Sequence, residues 1–168
     1  LESAWAIRHN RLSDISTQQM VDCNHFSSGC GGGRMDFAFM YLLFDGIALE
    51  DDYPYRALTM DCKRNFSKSN INITGYSYVA ENRPLALKRA VAFQPISVAI
   101  AVNEDFVFYD SGIFNADCGP HLNHAVVLTG YGDKPGKYWI IKNSWGERWG
   151  ELGYMRLYRT EKSVSQET

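Results

Sequence analysis

Read as a pattern of apolar and polar positions, the chain changes period near its middle. The first half favours helices. Leu1-Glu2-Ser3-Ala4-Trp5-Ala6-Ile7 reads as a helix entered part-way, since no capping residue precedes it. Ser16, with Gln19 three residues on, forms a capping box that should open a short helix through Met20 and Val21. Gly31-Gly32-Gly33 interrupts the chain. Residues 34–44 then carry apolar side chains on nearly every face, which predicts a buried helix with Gly46 as its C-cap. Tyr53-Pro54-Tyr55 and the stretch around residues 65–74 read as loop.

From about Gly75 the period shortens. Residues 82–93 predict one more helix, with Pro84 tolerated near its start. Strand-like runs follow at 96–102, 125–128, 138–141 and 154–157, and the glycine-rich stretch 130–136 reads as a loop between two of them. Helices first and strands afterwards predict an α+β fold in two lobes. The chain shows no internal repeat and no low-complexity segment.

Composition narrows the choice of partners. The 168 residues can bury a core as one domain or two small ones, and 45% apolar with 21% charged residues is ordinary for a globular chain. A net charge of −2 without long Lys/Arg runs argues against nucleic acid or anionic membrane as partner. The longest apolar run, residues 37–44, is too short to span a bilayer. No basic-then-apolar leader opens the sequence, which reads as a mature chain or as one whose start is missing.

The four cysteines are Cys23, Cys30, Cys62 and Cys118. None forms a Cys-x-x-Cys pair and none has histidines at zinc-finger spacing, which argues against structural zinc. His121 and His124 lie three apart, a spacing that can hold a metal on a helix. The preceding Cys118-Gly119-Pro120 and the β-branched residues that follow do not favour a helix there, and no acidic residue lies close enough to complete a ligand set. Neither a metal nor a cofactor is expected. Two sequons, Asn65-Phe66-Ser67 and Asn72-Ile73-Thr74, mark Asn65 and Asn72 as candidate glycosylation sites. Beside spaced cysteines they lean toward a secreted or lysosomal/vacuolar, oxidising setting.

The candidate chemistry lies in the strand half. Asn123-His124-Ala125-Val126-Val127-Leu128-Thr129-Gly130-Tyr131-Gly132 is followed by Tyr138-Trp139-Ile140-Ile141-Lys142-Asn143-Ser144-Trp145-Gly146, then by Trp149-Gly150-Glu151-Leu152-Gly153-Tyr154. A histidine opening one strand and an asparagine closing the next can meet, as a base and its orienting partner must. Together these blocks resemble the His and Asn blocks of the papain-like cysteine proteases, cathepsin L-like members among them. The resemblance extends to Cys23 through Cys30-Gly31-Gly32-Gly33, with Gly31 where asparagine is usual, to Asp52-Tyr53-Pro54-Tyr55 and Cys62, and to Ser111-Gly112-Ile113-Phe114.

That resemblance implies a papain-like fold: a helical lobe over 1–76, incomplete at its N-terminus, an antiparallel β-barrel lobe over 77–168, and a cleft between them. It implies His124 as the catalytic base, Asn143 as the residue that orients it, and Trp145 as the cover over their hydrogen bond. It makes Gly32, Gly33, Met35, Ala99, Leu122, Asn123 and Ala125 substrate-binding. The apolar set Met35, Ala99, Leu122 and Ala125 would favour a bulky apolar residue at the second position on the acyl side of the cut. Cys23 should bond Cys62, while the partners of Cys30 and Cys118 should lie outside this chain. The nucleophilic cysteine is expected about six or seven positions before Leu1, because His and Asn follow it by roughly 130–150 residues in this family. The chain by itself should then be inert. Peptide or protein substrates are the implied partners, with protein inhibitors or a propeptide as further ones. Two rival readings are a non-catalytic homologue that binds peptides or partners, and an exopeptidase with one end of the cleft blocked.

Overall fold

Residues 1–63 and 71–160 are described by the computed structural model. The chain forms two units, Leu1–Tyr78 and Val79–Thr168.

The first unit holds helices α1 (Glu2–His9), α2 (Thr17–Cys23) and α3 (Met35–Phe44), with a 3₁₀ turn at Gly29–Gly31. Ser16 caps α2 as its sequence predicts, its Oγ accepting the Gln19 N–H at 3.0 Å. The return half of the capping box does not form. Gln19 is fully buried, and its Nε2 donates instead to the Tyr41 hydroxyl (2.8 Å) and the Gly46 carbonyl (3.1 Å), while its Oε1 accepts the Ala48 N–H at 2.7 Å. Beside it, Gln18 donates to Asp22 Oδ1 (2.8 Å) and the Leu58 carbonyl (2.7 Å) and accepts the Arg56 N–H (2.7 Å). These two amides satisfy backbone groups of neighbouring loops, and the disulfide Cys23–Cys62 ties α2 to the end of the same loop.

Gln19→Ala strands the Ala48 N–H and the Gly46 carbonyl in a dry interior. The expected loss is about 3 kcal/mol of stability in the first unit, at 1–3 kcal/mol per buried unsatisfied group. Urea unfolding with the disulfide intact reads it, and a loss below about 1 kcal/mol would contradict the network.

Helix α3 departs from its expectation. Its composition predicts burial all round, yet only Tyr41 and Leu42 are buried, and Phe44 is 78% exposed. Ile15, Ile47 and Ile71 cover its Leu42 side, and Ala48, Tyr53 and Cys23 its Tyr41 side. Among the described residues the remaining side is only partly covered.

The second unit holds α4 (Pro84–Val91), β1 (Ile96–Ile100), α5 (Glu104–Val107), β2 (Ile113–Phe114), β3 (His124–Gly132), β4 (Tyr138–Lys142) and β5 (Tyr154–Tyr158). The sheet order is β1-β3-β4-β5-β2. Pairing is antiparallel except between β2 and β5, which run parallel. Helix α4 is shorter than expected, with Pro84 at its first turn, where the missing N–H costs nothing. Its Leu87 and Val91 join Phe106, Leu128, Trp139, Ile141, Met155 and Leu157 in the core.

Strand β3 runs through Gly130-Tyr131-Gly132, which the sequence presents as loop. A register shift between Leu128 and Gly130 absorbs the glycines within the ladder. Opposite Tyr138, a Cβ on Gly132 would fall 2.3 Å from the tyrosine ring, so a side chain at this rung would require that ring to move. At the far end of β5, buried Arg159 pairs with Asp133 and lies against the faces of Tyr131 and Trp139. Glu151 and Arg156 form an ion pair, and Glu151 also accepts the Gly112 N–H at 2.9 Å, anchoring the turn after Trp149 to β5. The Arg156 guanidinium is the main cause holding the Glu151 carboxyl below its ordinary range. Among the described residues no helix is long and apolar enough to cross a membrane.

Candidate active site

Antiparallel pairing brings the start of β3 beside the end of β4. His124 opens the first and Asn143 directly follows the second, so the two side chains meet: His124 Nε2 lies 2.8 Å from Asn143 Oδ1. The direction of this bond is fixed by a third group. The Ser144 backbone N–H donates to the same Oδ1 at 2.8 Å, which identifies that atom as the carbonyl oxygen of the amide. Nε2 of His124 must therefore carry the proton in the shared bond, leaving Nδ1 as the imidazole nitrogen with a free lone pair. Asn143 is itself buried (8% exposed), and its backbone N–H donates to the Gly153 carbonyl at 2.9 Å, so the main chain that carries the orienting side chain is held in place. The histidine in the folded chain should be the Nε2–H tautomer when neutral. Nitrogen-15 shifts of His124 read this directly, and an Nδ1–H signal would reverse the assignment.

Aromatic rings shield the pair. The Trp145 indole lies over the imidazole, with centroids 5.1 Å apart and planes tilted by 32°. Phe106, 1% exposed, presents its ring edge-on to both His124 (6.4 Å) and Trp145 (5.6 Å) and stacks on Trp149 (5.3 Å). Keeping water from a hydrogen bond strengthens it and holds its geometry. Phe106 carries no periodic signal in the sequence because it sits on α5, a helix of four residues set between two strands. A local signal exists: Asn103 caps that turn, accepting the Phe106 N–H at 3.2 Å, so an Asn three residues before a lone aromatic marks a packed turn.

The other expected site residues divide between the units. Ala99 and Ala125 are register partners on β1 and β3, and strand alternation puts them on the face opposite the Ile100–His124 pair. Leu122 is 46% exposed. Asn123, expected to touch substrate, spends its side chain on the protein: Oδ1 accepts the Val102 N–H (2.8 Å) and Nδ2 donates to the Val102 carbonyl (3.0 Å). These bonds continue the β1–β3 ladder one residue beyond His124 and fix the histidine's backbone.

Gly32, Gly33 and Met35 belong to the first unit. A Cβ on Gly33 would come within 2.3 Å of Ser27 Oγ, so the packing of its own loop also requires glycine. Met35, half-buried, is flanked by Arg34 and Asp36, which pair at 2.8 Å, and Tyr78 donates to Asp36 at 3.1 Å. The Arg34 hydrogen bond is the chief cause that holds the Asp36 carboxyl down at about 2. Because that value is depressed, the stabilisation is complete above the unfolded value of about 3.9 and is lost as pH falls toward about 2. Arg34→Ala should move the Asp36 carboxyl titration upward toward its ordinary range by carbon-13 NMR, and an unmoved titration would contradict the pairing.

Cys30 and Cys118 are free thiols. Cys118 Sγ donates to Asn103 Oδ1 at 3.2 Å, and burial pushes its pKa up, away from thiolate character. Among the described residues no cluster of three or more His, Cys, Asp or Glu side chains could hold a metal ion.

Comparison with known proteins gives consistent matches. Residues 1–168 match the family model described as papain family cysteine protease. A curated rice protein, cysteine endopeptidase RepA of Oryza sativa subsp. japonica, is 45% identical over 171 residues, spanning 98% of this chain and 45% of that protein. The chain thus spans about half the length of the curated relatives it matches. Among solved structures, the bromelain protease from Ananas comosus in complex with the E64 inhibitor matches with TM-score 0.89 and 44% identity, over 98% of this chain and 76% of that one. The ragweed pollen cysteine protease Amb a 11 in its proform matches with TM-score 0.92 and 38% identity, over 99% and 53% respectively.

Proposed function

Because the chain belongs to the papain family of cysteine proteases, we propose that it is the part of a cysteine endopeptidase that carries the catalytic histidine and asparagine. The carrying observation is the 2.8 Å His124–Asn143 bond, with Asn143 Oδ1 also held by the Ser144 N–H. Asn143 fixes the ring so that Nδ1 is the nitrogen that takes a proton. A thiol delivering its proton to Nδ1 becomes a thiolate paired with the imidazolium. The thiolate attacks a peptide carbonyl, the imidazolium protonates the departing amine, and water then hydrolyses the acyl-enzyme with Nδ1 again as base. Trp145 and Phe106 keep the dyad dry through both steps.

The nucleophile is a cysteine of the complete protein outside Leu1–Thr168. Cys23 and Cys62 are consumed in a disulfide, Cys118 is a partly buried thiol with a raised pKa, and Cys30 matches a disulfide cysteine of the family rather than its nucleophile. The 168-residue chain alone is then inert. Cys30 and Cys118 find disulfide partners in the complete protein, in keeping with their free thiols here.

The site for the second acyl-side residue favours a large apolar side chain, a reading supported by the apolar residues Ala99, Leu122 and Ala125 of the second unit. Peptides and proteins are the substrates, with protein inhibitors and a propeptide as regulatory partners. The ragweed relative in its proform supports the last of these. The Cys23–Cys62 disulfide supports a secreted or lysosomal/vacuolar setting. In the complete protein, kcat/KM for Leu at the second acyl-side position should exceed that for Arg at least tenfold. Placing an unpaired charge against apolar walls costs several kcal/mol, and part of that is recovered here because the walls are open to solvent. Equal values would refute the apolar pocket.

A further inference from the structure

We propose that Asn72 carries an N-linked oligosaccharide in the folded protein. Ile71 is buried in the α3-side core and is held by an antiparallel bridge to Ile47, whose N–H donates to the Ile71 carbonyl at 2.8 Å. Ile73 packs against the same core. With Ile71 and Ile73 turned inward, the alternation of an extended chain turns Asn72 and Thr74 outward, and both are exposed. The amide and the hydroxyl of the sequon therefore stand on the solvent side of a segment whose other side is anchored.

Their side chains are also unengaged by the described residues. Asn24, Asn103, Asn123 and Asn143 all use their amides to hold local structure. Asn72 and Thr74 make no side-chain hydrogen bond with the described residues, so derivatising Asn72 breaks nothing. An oligosaccharide is bulky and solubilising and must stay outside the fold, which this placement permits. The second sequon, at Asn65, lies outside the described residues. Chemically, the anomeric carbon of a lipid-pyrophosphate-linked oligosaccharide is transferred to Nδ2 of Asn72. The carbon–oxygen bond to pyrophosphate breaks, a carbon–nitrogen bond forms, the amide loses one proton, and the lipid pyrophosphate leaves. The inference rests on the oxidising, endomembrane setting proposed above.

The test places the full chain behind a secretion signal in a eukaryotic host and examines total membrane-enclosed material, so that a variant that misfolds still reports. Because the signal is supplied, a failed acceptor is distinguishable from a wrong native location. Peptide-N-glycosidase should lower the apparent mass and convert Asn72 to Asp in the peptide containing it. Asn72→Gln and Thr74→Ala should each abolish that modification, Thr74→Ser should retain it, and Asn65→Gln should leave it unchanged. Unmodified Asn72 in lumenal chain, or an identical mass shift in the Asn72→Gln variant, would overturn the proposal.

Discussion

Replacing His124 by Ala in the complete protein lowers kcat/KM on the order of 10⁴-fold or more, as loss of the base does in other nucleophile–histidine hydrolases. The expectation follows from the geometry, because Asn143 engages Nε2 and leaves Nδ1 as the nitrogen that takes the proton. Asn143→Ala should cost less, about 10²-fold, since the imidazole survives and loses only its fixed orientation. The ordering matters more than either number. If Asn143→Ala costs as much as His124→Ala, the asparagine does more than orient. If His124→Ala costs under tenfold, measured with a peptide amide substrate and a folded variant, the base is elsewhere.

Phe106→Ala gives the largest expected loss of stability. The ring is 1% exposed and touches His124, Trp145, Trp149 and Phe114. Truncating such a phenylalanine costs about 3–5 kcal/mol, from lost transfer energy and the cavity left behind. The same substitution removes the shield from the dyad, so kcat should fall in variants that remain folded under assay conditions. Phe106→Leu refills much of the volume and should recover most of the stability. A loss below about 1 kcal/mol for Phe106→Ala would mean that the aromatic cluster does not carry the packing assigned to it.

Much of this arrangement was legible in the residues. The strand runs around 125–128, 138–141 and 154–157 correspond to β3, β4 and β5, because short runs of β-branched and aromatic residues bounded by glycines mark strands. The meeting of His124 with Asn143 followed from their places at adjacent strand ends, and the resemblance to one family named their roles. The misses share a physical origin in tertiary contacts. Gln19 looks like half of a capping box, and only the loop carrying Gly46 and Ala48 reveals a better set of partners for its amide. Gly130 and Gly132 look like loop until Tyr138 is seen to occupy the space that a side chain would need. Helix α3 is apolar all round in sequence, yet burial depends on what packs against it, and the described residues cover only part of its surface. Strand β2 and helix α5 are too short to carry a period at all.

The His124–Asn143 pair is proposed to activate a thiol supplied from outside Leu1–Thr168. A thiol-directed epoxide applied to the complete protein at about pH 5, where an ordinary thiol of pKa about 8.5 is almost wholly protonated, tests it most directly, with the labelled residue mapped by mass spectrometry. The expected result is one rapidly labelled cysteine, outside Leu1–Thr168, whose labelling collapses in the His124→Ala variant. Labelling of Cys30 or Cys118 instead, labelling indifferent to His124, or a complete protein with no reactive cysteine would contradict it, the last favouring a non-catalytic homologue that binds peptides.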